Sequence, residues 1–288
     1  MSFFKKLFGG SEPVADETPK EESKNFDILK YDGVRALRTN QAQYAAQCFE
    51  HALALKDDLE CRDYLSQALL QTGDLRGSYE QLTLLTASCP DNVGILLRMA
   101  EVAFMMEDYS AMLDACQKAL TLDDSNAMTY YMHARGSHGG GEDATAVTML
   151  DKALSLNGEF DAARLLRGQV HLAMANYDAA AADVEQLIER VGENEDVYLL
   201  KAHLAEATDR PEEAVEAYSK VIDLNPFCAE AFRGRGILRH QLGDDEGAEA
   251  DRQSADELDS SAPATQESVE QKVKDAYKSI DPYGVFGQ

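Results

Sequence analysis

The chain of 288 residues has no tryptophan and only seven prolines, and its cations are far outnumbered by its anions. Because proline interrupts helices, its scarcity leaves room for long helical stretches. The 27 lysines and arginines face 52 aspartates and glutamates, which gives a net charge of −25. Such a surplus of negative charge repels a phosphate backbone, so nucleic acid is not expected as a partner.

Apolar runs long enough to cross a membrane as a helix are also missing from the sequence. The five cysteines are odd in number, widely spaced and never arranged as CxxC, which favours reduced thiols in a reducing compartment. The first residues include lysines, but an acidic stretch from Glu12 takes the place of the apolar core of a signal peptide. Together these absences predict a cytoplasmic protein.

Motifs that carry catalysis or hold a metal are absent as well. The six histidines are scattered without an HExxH pattern, and no GxSxG or glycine-rich nucleotide loop is present. His203 and Glu206, one helical turn apart, come nearest to a ligand pair, but two ligands do not close a metal site. We therefore expect a protein that is not an enzyme and that uses no cofactor and no metal.

What the sequence does contain is an internal repeat. Tripeptides of similar character begin at Gly73, Glu107 and Ala175, at offsets of 34 and 68 residues. A 34-residue period follows, and a fixed period of this length is the signature of a stacked repeat array. Its windows open at Leu59, Val93, Ala127, Asp161, Glu195 and Ala229.

Two places in each window hold small residues, with one exception. Small residues twelve apart allow two antiparallel helices to approach closely at one crossing point, so the pattern predicts a helix pair in every window. The eighth places are Ser66, Ala100, Ala134, Gly168, Ala202 and Gly236. The twentieth places are Ser78, Met112, Ala146, Ala180, Ala214 and Ala248, of which only the methionine is bulky.

This pattern resembles the tetratricopeptide repeat (TPR) family, whose 34-residue signature runs W-x2-L-G-x2-Y, then A-x3-F, then P. A further first repeat carries the family residues Gly33, Ala45, Phe49 and Ala52, one residue out of register. The resemblance implies an all-α fold, a right-handed superhelical α-solenoid of about seven TPR helix pairs with a C-terminal capping helix. The large residue of the first helix is replaced in several repeats, by Ser137, His171 and Arg239.

The chain is accordingly divided into a tail, an array, a cap and a second tail. Residues 1–25 are expected to form a disordered tail with a short basic amphipathic start and an acidic linker, and 281–288 a C-terminal tail. The segment 1–8 is expected to fray or to dock on the first repeat; contact with anionic lipid is the less favoured alternative. Residues 263–280 are expected to form the capping helix. The TPR array, 26–260, is divided at about 26–58, 59–92, 93–126, 127–160, 161–194, 195–228 and 229–262.

In the TPR family the first helices line a concave groove through places 2, 5, 9, 12 and 13 of each repeat. The resemblance therefore implies a ligand-binding groove with an apolar centre and a polar rim, and Phe104, Met105 and Tyr131 are the favoured contacts. About half of the apolar members are expected to belong partly to the core. The groove residues are Leu97, Glu101, Phe104, Met105, Met128, Tyr131, Arg135, His138, Leu165, Gln169, Leu172, Leu199, His203 and Arg233.

The function implied is that of a scaffold or adaptor that binds a peptide or partner protein in this groove. The acidic balance favours a partner with basic flanks. Lys30 matches one place of the family's carboxylate clamp, but Val34 stands where asparagine is needed, so that ligand is not predicted. Two alternatives stay open: a TPR protein that assembles with copies of itself, and a non-catalytic regulatory subunit of an enzyme or of a membrane-associated complex.

Overall fold

The computed structural model describes residues 19–261, and the chain divides into two compact units, Met1–Ser88 and Cys89–Gln288. The expected capping helix, 263–280, and the amphipathic segment 1–8 lie outside the described residues. Within the first unit the helices form two antiparallel pairs, and the second helix of one pair also packs on the first helix of the next. These helices are α1 (Pro19–Arg38), α2 (Ala42–Leu55), α3 (Leu59–Gln71) and α4 (Leu75–Ser88).

The second unit contains five further pairs packed in the same consecutive way. All six windows read from the 34-residue period open on the first residue of a helix, one in the first unit and five here. The helices are α5 (Val93–Met105), α6 (Tyr109–Leu122), α7 (Ala127–Gly139), α8 (Asp143–Leu156), α9 (Asp161–Ala173), α10 (Tyr177–Val191), α11 (Glu195–Ala207), α12 (Pro211–Leu224), α13 (Ala229–Gln241) and α14 (Asp245–Ser261).

The expected all-α solenoid of TPR helix pairs is confirmed, since the fourteen helices between residues 19 and 261 form seven successive pairs without a strand. One expected boundary differs from the structure. Helix α1 begins at Pro19, so residues 19–25, which are expected in the disordered tail, are helical. Proline is favoured in the first turn of a helix, which suits a helix that begins at this residue.

The small residues mark the helix crossings, as the spacing predicts. In the second repeat the Ser78 hydroxyl donates a hydrogen bond of 2.8 Å to the backbone carbonyl of Ser66, so the backbones of α3 and α4 approach closely at this point. In the fifth repeat a Cβ atom added at Gly168 would lie 3.4 Å from the Cβ of Asp183. Met112 is accommodated at the third crossing because Gly136, on the next first helix, leaves room beside its sulfur.

The turn between the two helices of a repeat has the same geometry throughout. The fifteenth residue of each 34-residue window has a positive φ. This residue is a glycine at Gly73, Gly141 and Gly243, whereas it is an alanine at Ala175. The backbone N–H of the next residue bonds to the carbonyl five positions earlier, as from Asp74 to Leu69 at 2.9 Å. This Schellman geometry satisfies the end of the first helix and reverses the chain within a few residues.

The fifth and the seventh repeats each contain a buried ion pair between their first and second helices. Arg167 on α9 makes bonds of 3.0 and 2.6 Å to the two carboxylate oxygens of Asp183 on α10, whose side chain is almost fully buried. Arg235 and Asp251 repeat this bidentate pair at the same two places of the seventh repeat, at 2.9 and 2.7 Å. Glycine occupies the eighth place in both repeats, and it makes room for the aspartate.

The last described helix presents a polar outer face. Where α12 has Val215, Tyr218 and Ile222, the corresponding places of α14 hold Glu249, Arg252 and Asp256. The arginine bonds to both carboxylates, at 2.6 Å to Glu249 and 3.0 Å to Asp256. Because these charges satisfy one another at the surface, α14 ends the described array with a face that tolerates water.

Candidate peptide groove

All fourteen expected groove residues lie on the first helices of the second unit, and these helices pack side by side from α5 through α7 and α9 to α11. Two of them are buried. Leu97 and Glu101 are each only 7% exposed, so they offer little surface to a partner. Leu97 is one of the buried residues of α5, and Glu101 is buried together with Arg135 of the next repeat.

Glu101 and Arg135 occupy the same place of successive repeats and form an ion pair across α5 and α7. The Arg135 Nη1 donates a hydrogen bond of 2.9 Å to Oε2 of Glu101, and both side chains are at least 85% buried. The other carboxylate oxygen of Glu101 is buried and has no hydrogen-bond partner among the described residues. The pair therefore joins two repeats and leaves little net charge at the centre of the groove.

Aromatic rings surround this arginine. Its guanidinium carbon lies 4.0 Å from the ring centre of Phe104 and 5.8 Å from that of Tyr131. Tyr131 in turn packs against Phe160, with ring centres 5.0 Å apart. A guanidinium over an aromatic face is attracted by the quadrupole of the ring, whose face is negative, and this contact strengthens when water is excluded. The cluster of Glu101, Phe104, Tyr131 and Arg135 is called the arginine cluster below.

Burial governs the ionisation of this region. Burial raises the pKa of Glu101 above its ordinary value, although the adjacent Arg135 opposes the rise. Burial, aided by the charge of Glu101, also raises the pKa of Cys116 to about 12. A thiol with so high a pKa is protonated near neutral pH, and since the thiolate is the nucleophile, Cys116 is suited to packing rather than to covalent chemistry.

Apolar side chains continue from the arginine cluster along the row of first helices. Met105 and Met128 are half-buried beside it. Leu165 and Leu172 on α9 and Leu199 on α11 are also half-buried, and each packs partly against a core cluster. The expectation that several apolar groove residues are shared with the core therefore agrees with their burial, while each still presents part of its surface.

The polar residues of the expected rim are mostly paired within the chain. His138 lies 2.6 Å from Asp143, and His203 lies 3.2 Å from Glu230. Arg233 bonds to Asp259 at 2.6 Å with both side chains more than half exposed. Gln169 is exposed on α9. The rim thus combines accessible polar atoms with polar pairs at the surface, and the exposed pair of Arg233 and Asp259 contributes little stability, so a partner can rearrange it at low cost.

Sequence reasoning missed several neighbours of the groove. Phe160 precedes α9, and only first-helix places were considered, so its contact with Tyr131 was not foreseen. The Tyr218 hydroxyl donates a hydrogen bond of 2.6 Å to Glu206, which holds that carboxylate at the groove. The burial of Tyr218 and its bond to Glu206 raise the pKa of the phenol. Phe160 lies in a turn and Tyr218 on a second helix, so neither falls at the first-helix places from which the groove is predicted.

Lys30, in the first unit, is not free to act as a clamp. Its ammonium group lies 3.0 Å from Asp58 and 2.6 Å from Glu60. Two carboxylates of the same chain therefore already neutralise the one lysine that matched the family's carboxylate clamp. The clamp ligand therefore stays outside the prediction, for which Val34 in place of asparagine was the sequence ground.

A family model described as tetratricopeptide repeat matches residues 165–220 and 199–263. Residues 165–263 are tetratricopeptide repeats. None of the curated proteins matches it. The sequence signal is carried by the last three repeats, whereas the more divergent repeats of this TPR protein are recognised by their structure.

Solved structures similar to this TPR protein show the same fold. A tetratricopeptide repeat protein from Parabacteroides merdae is 16% identical, with a TM-score of 0.72 over 88% of this chain and 98% of that one. MamA from Desulfovibrio magneticus RS-1, residues 41 to the end, is 19% identical, with a TM-score of 0.54 over 60% and 97%. Yeast Tom70 is 17% identical, with a TM-score of 0.56 over 95% of this chain and 57% of its own.

Between residues 19 and 261 no three histidine, cysteine, aspartate or glutamate side chains are grouped as a metal ion would require. In the same part of the TPR protein no helix has both the length and the apolar character needed to cross a membrane.

Proposed function

We propose that this TPR protein is an adaptor that holds an apolar segment of a partner protein along helices α5, α7, α9 and α11. The observation that carries the proposal is the continuous row of half-buried apolar side chains next to the arginine cluster. Methionine, aromatic residues and arginine are enriched at protein interfaces, where charged residues are depleted from the centre. A TPR fold also supports a binding role rather than catalysis.

Charge supports a partner that carries basic residues outside the apolar segment. The chain has a net charge of −25, and the groove ends carry exposed carboxylates such as Glu206 and Glu230. Opposite charges on a partner raise the rate of encounter and make it sensitive to salt. We place this encounter in the cytoplasm, where five unpaired cysteines remain reduced.

A double substitution tests the proposal. Changing Met105→Glu and Met128→Glu puts two charges into the proposed binding surface, and neither side chain takes part in a hydrogen bond or ion pair. Truncation of central interface residues often costs about 2 kcal/mol or more, which is roughly thirtyfold in affinity. We therefore expect partner capture from native extract, quantified by mass spectrometry, to fall at least about tenfold.

The matched control is Met106→Glu with Met174→Glu. Both are exposed methionines in turns after first helices, outside the proposed contact surface. The control is expected to capture the same proteins as the parent, with circular dichroism unchanged in both variants. Equal capture by the two double variants would exclude this groove. Capture of the chain by tagged copies of itself, and of nothing else, would favour self-assembly.

A further inference from the structure

Helix α13 carries an exposed isoleucine at a groove place. Ile237 is 59% exposed, the highest value for a large aliphatic side chain among the described residues. It occupies the ninth place of its repeat, as Arg135 and His203 do in theirs. Because equal places of a regular repeat array face the same way, the groove continues beyond α11 to α13.

The junction between α5 and α7 shows how this array holds an arginine at the ninth place. Arg135 of α7 reaches back to α5, where it bonds to Glu101 and lies 4.0 Å from the ring centre of Phe104. Those two residues occupy the ninth and twelfth places of their repeat. The junction between α11 and α13 has an acid in place of Phe104 and no cation in place of Arg135. Its three corresponding residues are His203, Glu206 and Ile237.

Glu206 is held at this junction by a tyrosine of α12. The Tyr218 hydroxyl donates a hydrogen bond of 2.6 Å to Oε2 of Glu206. The same hydroxyl lies so close to α13 that a Cβ atom added at Gly234 would be 2.8 Å from it. Gly234 is one helical turn before Ile237, so the Glu206 carboxylate lies beside this part of α13. Glu206 is exposed, and a carboxylate can accept several hydrogen bonds.

Glu230, at the second place of α13, contributes a second carboxylate. Its side chain is 57% exposed, and its Oε1 lies 3.2 Å from Nε2 of His203 on α11. Arg233 of the same helix is bonded to Asp259 at 2.6 Å. Carboxylates beside an exposed apolar side chain suit a long cationic side chain, because its stem packs on the apolar surface while its charged end meets the acids.

We propose that the junction of α11 and α13 binds an arginine or lysine of the partner segment that lies in the groove. Glu206 accepts its hydrogen bonds, Ile237 contacts its stem, and Tyr218 positions Glu206. A cation of the partner then takes the place that Arg135 takes within the chain. The inference rests on the proposed function, because it names one feature of the same partner. It also fixes a direction, since the apolar part of the segment lies on α5 to α9 and the basic part on α11 and α13.

Selection of peptides by the full chain tests this assignment. The probe is a phage-displayed library of random linear peptides. We expect the parent chain to enrich sequences in which an arginine or lysine stands at a fixed distance from an apolar stretch. Glu206→Gln is expected to keep the apolar stretch and to lose the preference for a basic residue. The control, Glu216→Gln on the exposed side of α12, should select the same sequences as the parent.

One selected peptide then gives a quantitative test by fluorescence polarisation. Replacing its basic residue with glutamine is expected to weaken binding to the parent at least about tenfold, because hydrogen bonds between charged groups are lost. The same replacement should have little effect on binding to Glu206→Gln, since the two groups act as a pair. Tyr218→Phe should reduce the discrimination between the two peptides without weakening the glutamine peptide, which a merely structural role would not do.

The outcomes separate this assignment from the groove itself. If the parent selects apolar peptides without a basic residue at a fixed distance, or if Glu206→Gln keeps that preference, the assignment is wrong and the groove stands. If Met105→Glu with Met128→Glu selects the same apolar stretch as the parent, the groove is excluded, and the assignment with it. A parent chain that enriches no apolar sequence contradicts both.

Discussion

Replacing Gly168 with leucine is expected to destabilise the fifth repeat by about 1–3 kcal/mol, because the helix crossing has no room for the side chain. Even a Cβ atom at this position would lie 2.8 Å from Cδ2 of Leu200 and 3.4 Å from the Cβ of Asp183. Leucine has a better helix propensity than glycine, which offsets part of the cost. The melting temperature should fall by several degrees, with faster hydrogen exchange centred on α9 and α10.

Gly158→Leu is the matched control for this substitution. Gly158 is exposed in a turn, and an added Cβ would meet only the carbonyl of Leu154 at 3.9 Å. Gly168→Ala should give an intermediate loss, since it adds the crowded Cβ alone. If Gly168→Leu melts like its control, the α9–α10 crossing is not as close as the structure has it.

The second large effect is expected at the ion pair between Arg167 and Asp183. Removing one partner of a buried pair typically costs about 3–5 kcal/mol. Asp183→Ala should cost less than this, because Arg167 is partly exposed and keeps a bond of 2.6 Å to Asp151. Arg167→Met should reach this range, because it leaves the Asp183 carboxylate buried without its partner.

The double variant Arg167→Met with Asp183→Ala separates this explanation from a simple loss of packing. It removes both charges, so it should be more stable than Arg167→Met alone in chemical denaturation. Asp259→Ala, which breaks the exposed pair with Arg233, is the control and should cost less than about 1 kcal/mol. Additive losses in the double variant would show that the two residues are not energetically coupled.

The helix pairs were predictable from the sequence because their cause is local and repeated. Small residues such as Ser66 and Ser78 return at a fixed spacing, and the structure joins these two by a hydrogen bond across the crossing. The turn at place 15 could be foreseen where glycine occupies it, whereas Ala175 adopts the same positive φ without that signal. The stack imposes this conformation on alanine against its own preference.

The groove was predictable only in outline. Glu101 and Arg135 occupy one place in successive repeats, 34 residues apart, so their proximity follows from the period. Their burial does not, because it depends on how far the rings of Phe104 and Tyr131 fold over the arginine. The same limit applies to Leu97, which the pattern places on the groove and which the structure buries.

Photo-cross-linking from inside the groove tests the central claim most directly. A photoreactive phenylalanine analogue introduced at Met105 in the full chain would lie beside the arginine cluster, and one at Thr148 would lie on the exposed side of α8. We predict that irradiation in native extract joins the Met105 variant to the protein captured by the parent chain, and that Thr148 gives no such product. Cross-linking of that protein from Thr148 but not from Met105 would contradict the account.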